Sequence, residues 1–64
     1  MLDITYAKAY FNIGVTFYLE NDYDQALINI AKALVLFTKK GEFDCRERCL
    51  EALNFIQIER KTYN

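Results

Sequence analysis

The stretch from Tyr10 to Ala33 carries a pattern that two helices folded onto each other satisfy. Tyr10, Ile13 and Phe17 recur at steps of three and four, as do Ala26, Ile30 and Ala33, so each set lies along one face of a helix. The first set is large and the second mostly small, which lets the two faces close on each other. Gly14 falls inside the first helix, where it is about 1 kcal/mol worse than Ala, so the close approach of another backbone is expected there. Asn21-Asp22 interrupts the periodicity, and Asp22 with Gln25 forms a capping box that begins the second helix.

These residues resemble the tetratricopeptide repeat, whose signature is an aromatic, two residues, Leu-Gly, two residues, an aromatic, then Ala, three residues and a large apolar residue. Tyr10, Ile13, Gly14, Phe17, Ala26 and Ile30 occupy those positions, and Tyr23 and Ala33 fall where such repeats place Tyr and Ala. The resemblance covers residues 7 to 40 and departs at Thr38, where the family has Pro, which leaves the second helix free to run towards Lys40. The stretch Ala33 to Gly41 and the long spacing to the next candidate repeat also look like the repeats of bacterial peptide-pheromone-responsive regulators of the Rap, NprR and PlcR type. The phosphatase activity of the Rap proteins would not carry over, because that family's catalytic region lies outside its repeats.

At 64 residues the chain is a single small domain, a size that buries only about 60% of the unfolded surface. Hydrophobic residues make up 53% and aromatics 16%, more than so small an interior can hide, so part of the apolar surface is expected to meet a partner. A solenoid unit needs about three stacked repeats, which makes the chain a piece of a longer array or an oligomer. Eight basic and nine acidic residues leave a net charge of −1 with no basic stripe, so nucleic acid is not expected as a partner. The longest apolar run, Ala33 to Phe37, falls far short of the roughly 20 residues that span a bilayer, and no signal sequence opens the chain. The expectation is a soluble cytoplasmic protein without a membrane segment. With no Pro, no Ser and two Gly, no flexible linker is indicated.

The expected architecture is all-α: a helical hairpin plus a third helix, spanning about 4–20, 23–39 and 45–60. Asp3 is the expected N-cap of the first helix, with Met1 and Leu2 free to fray. Thr5, Lys8, Asn12 and Thr16 form its one polar stripe, and the remainder is apolar over more than half the circumference, which implies burial from two directions. On the second helix Gln25, Asn29 and Lys32 are expected outside, Lys39 and Lys40 near the C-terminal dipole, and Gly41 as the stop. Asp44 and Glu47 make a second capping box for the third helix, which should fade near Arg60-Lys61. Leu50 and Leu53 lie forty residues after Tyr10 and Ile13, so the third helix is either the first helix of another repeat or a capping helix.

Little in the chain points to chemistry. Cys45 and Cys49, at i and i+4, could supply half of a zinc site, but there is no His. Reduced structural thiols are expected, since helical Cβ vectors at that spacing do not suit a disulfide. Asp22, Asp24 and Glu47 are explained by helix caps and first turns, and Glu51 is the remaining nearby acid. No phosphate loop or nucleophile-base pair is present. Neither catalysis nor a cofactor or metal is expected.

The remaining candidate is the face of the first helix that bears Lys8, Phe11, Asn12, Val15, Tyr18 and Leu19. In tetratricopeptide proteins the corresponding face lines a groove that receives an extended peptide or a partner helix, which makes these six residues the candidate partner-binding site. Lys8 and Asn12 could address a carboxylate or a peptide backbone, while the apolar residues supply contact. The alternative is that this face is consumed by self-association, in a homodimer built from the third helix and the apolar side of the first.

Overall fold

The structure, a computed structural model, describes residues 4–63. It is all-α, with three helices in the order α1 (Ile4–Leu19), α2 (Tyr23–Lys40) and α3 (Phe43–Tyr63). α1 and α2 form an antiparallel hairpin, α3 packs on α2, and α1 and α3 meet only at their edges. Asp3, the expected cap of α1, lies outside the described residues, as do Met1 and Leu2.

The hairpin closes on small residues. Ala7 of α1 and Ala26, Ile30 and Ala33 of α2 are all completely buried, and Phe37, Cys49 and Ile56 complete the core. A β-carbon on Gly14 would stand 2.5 Å from Ile30 Cγ1 and 3.1 Å from the Ala26 carbonyl oxygen. The missing side chain is therefore what lets α2 approach. Tyr10 and Phe17 pack at the edges of this seam. Ile13, expected on the same face, is instead 44% exposed. One residue turns a helix by about 100°, so a seam centred on Gly14 leaves its neighbour pointing aside.

Both links are the same device. After α1, Asn21 takes a left-handed conformation (φ 66°), its N–H donates to the Tyr18 carbonyl and the Asp22 N–H to the Phe17 carbonyl. After α2, Gly41 does likewise (φ 73°), with its N–H bonded to the Thr38 carbonyl and the Glu42 N–H to that of Phe37. These are Schellman caps, which satisfy the last free carbonyls of each helix and reverse the chain. Asp22 then caps α2, its side chain accepting from the Gln25 N–H at 3.3 Å. Lys39 and Lys40 sit in the last turn of α2.

Three expectations need correction. α3 starts at Phe43 rather than residue 45 and runs to Tyr63 rather than fading at 60, because the Gly41 turn leaves room for Glu42 alone before the next helix. Asp44 therefore lies in the first turn instead of at the cap, and Glu47 pairs with Arg46 at 3.3 Å. Asn29 is buried rather than outside: it flanks the Ala26–Ala33 seam and satisfies itself by donating to the Gln25 carbonyl at 2.8 Å. The ends of α1 and α2, at 19 and 40 instead of 20 and 39, differ by one residue, which is within ordinary helix fraying.

Candidate interaction groove

Because α2 separates α1 from α3, the two outer helices form the walls of a groove with α2 as its floor. Two cavities lie along it. The first, about 260 Å³, is lined by Lys8, Phe11 and Asn12 from α1, Phe37 from α2, and Cys45 and Arg48 from α3. The second, about 210 Å³, is lined by Val15 and Tyr18 from α1, Ile30 from α2, and Ala52, Phe55 and Ile56 from α3. Five of the six expected site residues thus line the groove. Leu19 borders neither cavity and is 73% exposed beyond the groove's end.

The two ends differ in chemistry. Lys8 and Arg48 reach the first cavity from opposite walls, and among the described residues neither is paired with a carboxylate: the ion pairs are Arg46–Glu47 and Arg60–Asp24, the latter at 2.9 Å. Asn12 is exposed there with its amide side chain. The second cavity is walled by hydrocarbon and rings. At this end the groove narrows, with the Tyr18 ring 5.9 Å from that of Phe55 and 5.7 Å from that of Tyr23.

The α3 wall was missed in the sequence, although a signal for it exists. The forty-residue offset that relates Leu50 to Tyr10 also relates Arg48 to Lys8, which share the first cavity, and Phe55 to Val15, which share the second, while Ala52 and Asn12 line one each. The offset fails at Phe11, whose counterpart is Glu51, and apolar spacing alone gives no reason to follow it through polar positions.

The thiols divide between wall and core. Cys45 is half-buried at the first cavity, while Cys49 is completely buried behind it. Burial pushes the Cys49 thiol up from 9.0 to about 11, and neighbouring Cys45 adds to the rise. That direction favours an inert, protonated thiol. Among the described residues no group of three or more His, Cys, Asp or Glu could hold a metal ion.

A separate surface lies away from the groove. Tyr10, Lys32, Val35 and Leu36 line a shallow hollow of about 290 Å³, with the Lys32 ammonium 5.5 Å from the centre of the Tyr10 ring. Tyr6 and Ile13 of α1 and Val35 of α2 are 66%, 44% and 52% exposed, so the hairpin keeps apolar surface outside both seam and groove. No helix among the described residues is long and apolar enough to cross a membrane. Compared with protein-family models, with curated protein sequences and with solved structures, the chain matches none.

Proposed function

We propose that the chain is a non-enzymatic interaction unit of tetratricopeptide type, which receives a peptide segment of another protein in the groove between α1 and α3. The observation that carries this reading is the pair of cavities whose walls come from helices that barely touch, one with two cations that pair with no carboxylate among the described residues and the other apolar. Such a trough offers charge, an amide and apolar contact to a backbone laid along it. Asn12 is the residue suited to the peptide unit itself, since its side chain both donates and accepts. Two free cysteines that share one helical face suit a reducing, cytoplasmic setting.

The test is titration of the isotopically labelled chain with short acidic-apolar peptides, followed by amide chemical shifts. Shifts gathered at Lys8, Asn12, Val15, Arg48 and Phe55 support the reading. Shifts at Ile13 and Val35, or none, overturn it. A second reading, self-association, is favoured by one observation, the exposed Tyr6, Ile13 and Val35 outside the groove. Sedimentation across a dilution series separates the two, because a monomer at all concentrations removes the homodimer.

A further inference from the structure

We infer that α2 and α3 straighten through Gly41 and Glu42 into one helix when two copies of the chain meet, and that the copies then exchange α3, each α3 seating on the α2 of the other. This assembly is independent of what the groove binds. Within the hairpin, Arg60 pairs with Asp24 at 2.9 Å, Phe37 and Cys45 line one cavity, and Ile30 and Ala52 line the other. Asp24 and Arg60 lie eighteen residues to either side of Glu42, and Ile30 and Ala52 eleven to either side of Gly41. The register is symmetric about the link, so a twofold axis placed there brings the same side chains together from different chains.

That symmetry belongs to any short hairpin, but helical phase does not. Ile30 and Ala52 are 22 residues apart, about six turns, and Phe37 and Cys45 are eight apart, about two turns, so in a straight helix each pair points to one side. Leu34, Phe37, Gly41, Cys45, Cys49 and Ala52 follow one another at steps of three or four, and the apolar stripe reads through the link without a break. The first link lacks this property. Gly14 meets Ile30 sixteen residues on, about four and a half turns, so straightening at Asn21 would send the two faces to opposite sides.

The bend rests on one residue. Gly41 holds the left-handed conformation at φ 73°, the chain contains no Pro, and a β-carbon at Gly41 would meet nothing within 4 Å. Straightening costs no backbone hydrogen bond. The Gly41 N–H already donates to the Phe37 carbonyl as a continuous helix requires, and the Glu42 N–H passes from the Phe37 carbonyl to that of Thr38. The N–H groups of Phe43, Asp44 and Cys45, in the first turn of α3, gain the carbonyls of Lys39, Lys40 and Gly41. α1 stays on its own α2, and each groove is rebuilt with Lys8 and Val15 from one chain and Arg48 and Phe55 from the other. Gly41 thus sets the balance between hairpin and exchanged dimer.

The experiment is sedimentation equilibrium of wild type, Gly41→Ala and Gly41→Asn over a dilution series, with isotope-filtered NOE spectra of dimer refolded from labelled and unlabelled chains. Gly41→Ala disfavours the left-handed bend and favours the straight helix in both chains, so its dimer should be roughly a hundredfold to a thousandfold tighter than that of wild type. Gly41→Asn, which tolerates the bend, should stay near wild type. Contacts between Ile30 and Ile56, which line the second cavity together, should cross between chains. A Gly41→Ala chain that is monomeric at every concentration overturns the exchange, as does equal dimerisation of Gly41→Asn. A dimer whose Ile30–Ile56 contacts stay within one chain also overturns it and assigns association to outer surfaces such as Ile13 and Val35. Two alanines inserted after position 41 in the Gly41→Ala chain turn α3 by about 200° against α2 and should abolish the dimer, and a dimer that survives the insertion overturns the continuous helix.

Discussion

Ile30 of α2 lies directly over Gly14 of α1, so close that its Cγ1 occupies ground a β-carbon would need. Gly14→Ala should therefore lower stability by about 1 kcal/mol, because overpacking outweighs the gain in helix propensity. In an Ile30→Ala background the same change should become stabilising. Urea melts of the four proteins check this, and equal effects in both backgrounds would remove the contact as the reason for the glycine. Ala26→Leu and Ala33→Leu, at completely buried sites, should each cost about 1 to 3 kcal/mol.

The two turns make a second prediction. Nothing lies within 4 Å of a β-carbon on Gly41, so Gly41→Ala is opposed only by the left-handed backbone and should cost about 1 kcal/mol. Gly41→Asn should cost less than Gly41→Ala, and Asn21→Gly should be close to neutral. Thermal melts that rank Ala equal to Asn at position 41 would contradict the left-handed cap.

Cys45 and Cys49 should differ in chemistry. Cys45 should react with a thiol reagent in the native protein, and Cys49 only on unfolding, as mass spectrometry after brief labelling would reveal. The Cys49 thiol is held above its unfolded value, so the folded state retains a proton that the unfolded state releases. Its contribution is fully present below pH 9.0 and is lost as pH rises towards about 11. The stability gap between wild type and Cys49→Ala should accordingly narrow across that window by on the order of 1 to 3 kcal/mol, and a constant gap would refute the shift.

Phe55 and Ile56 are neighbours in sequence and opposites in space. Ile56 is 3% exposed and Phe55 is 53% exposed. Ile56→Glu buries an unpaired charge and should unfold so small a chain, whereas Phe55→Glu loses the ring contact with Tyr18 and should cost about 1 kcal/mol. Circular dichroism of the two variants checks the difference, and similar helicity and melting for both would contradict it.

Much of the hairpin was legible because its signals are local. The three-and-four spacing of Ala26, Ile30 and Ala33, the Asp22 cap and the Gly41 stop each act within one or two turns of helix. Ile13 and Asn29 were misplaced because spacing fixes a face to about one residue, and which neighbour wins depends on where the partner helix lies. Here Gly14 draws the seam to itself. Asp44 was misread since Asp-x-x-Glu satisfies the capping rule wherever it occurs, yet the twenty-residue match of Asn21-Asp22-Tyr23-Asp24 to Gly41-Glu42-Phe43-Asp44 places the cap at Glu42. The α1 side of the groove followed from the polar stripe. Its α3 side depended on how a third helix docks, which no local signal encodes.

The arrangement in which α2 alone touches both neighbours governs how the chain reaches its native state. Nearly every contact joins helices adjacent in sequence across links of three residues or fewer, so little loop-closure entropy opposes assembly. Low contact order of this kind corresponds to folding in microseconds to milliseconds. The hairpin of α1 and α2 can form before α3 arrives, and α3 can leave without dismantling it. Hydrogen exchange in native conditions should then show α3 amides opening at a lower free energy than those around Ile30, a hierarchy written by the order of the helices.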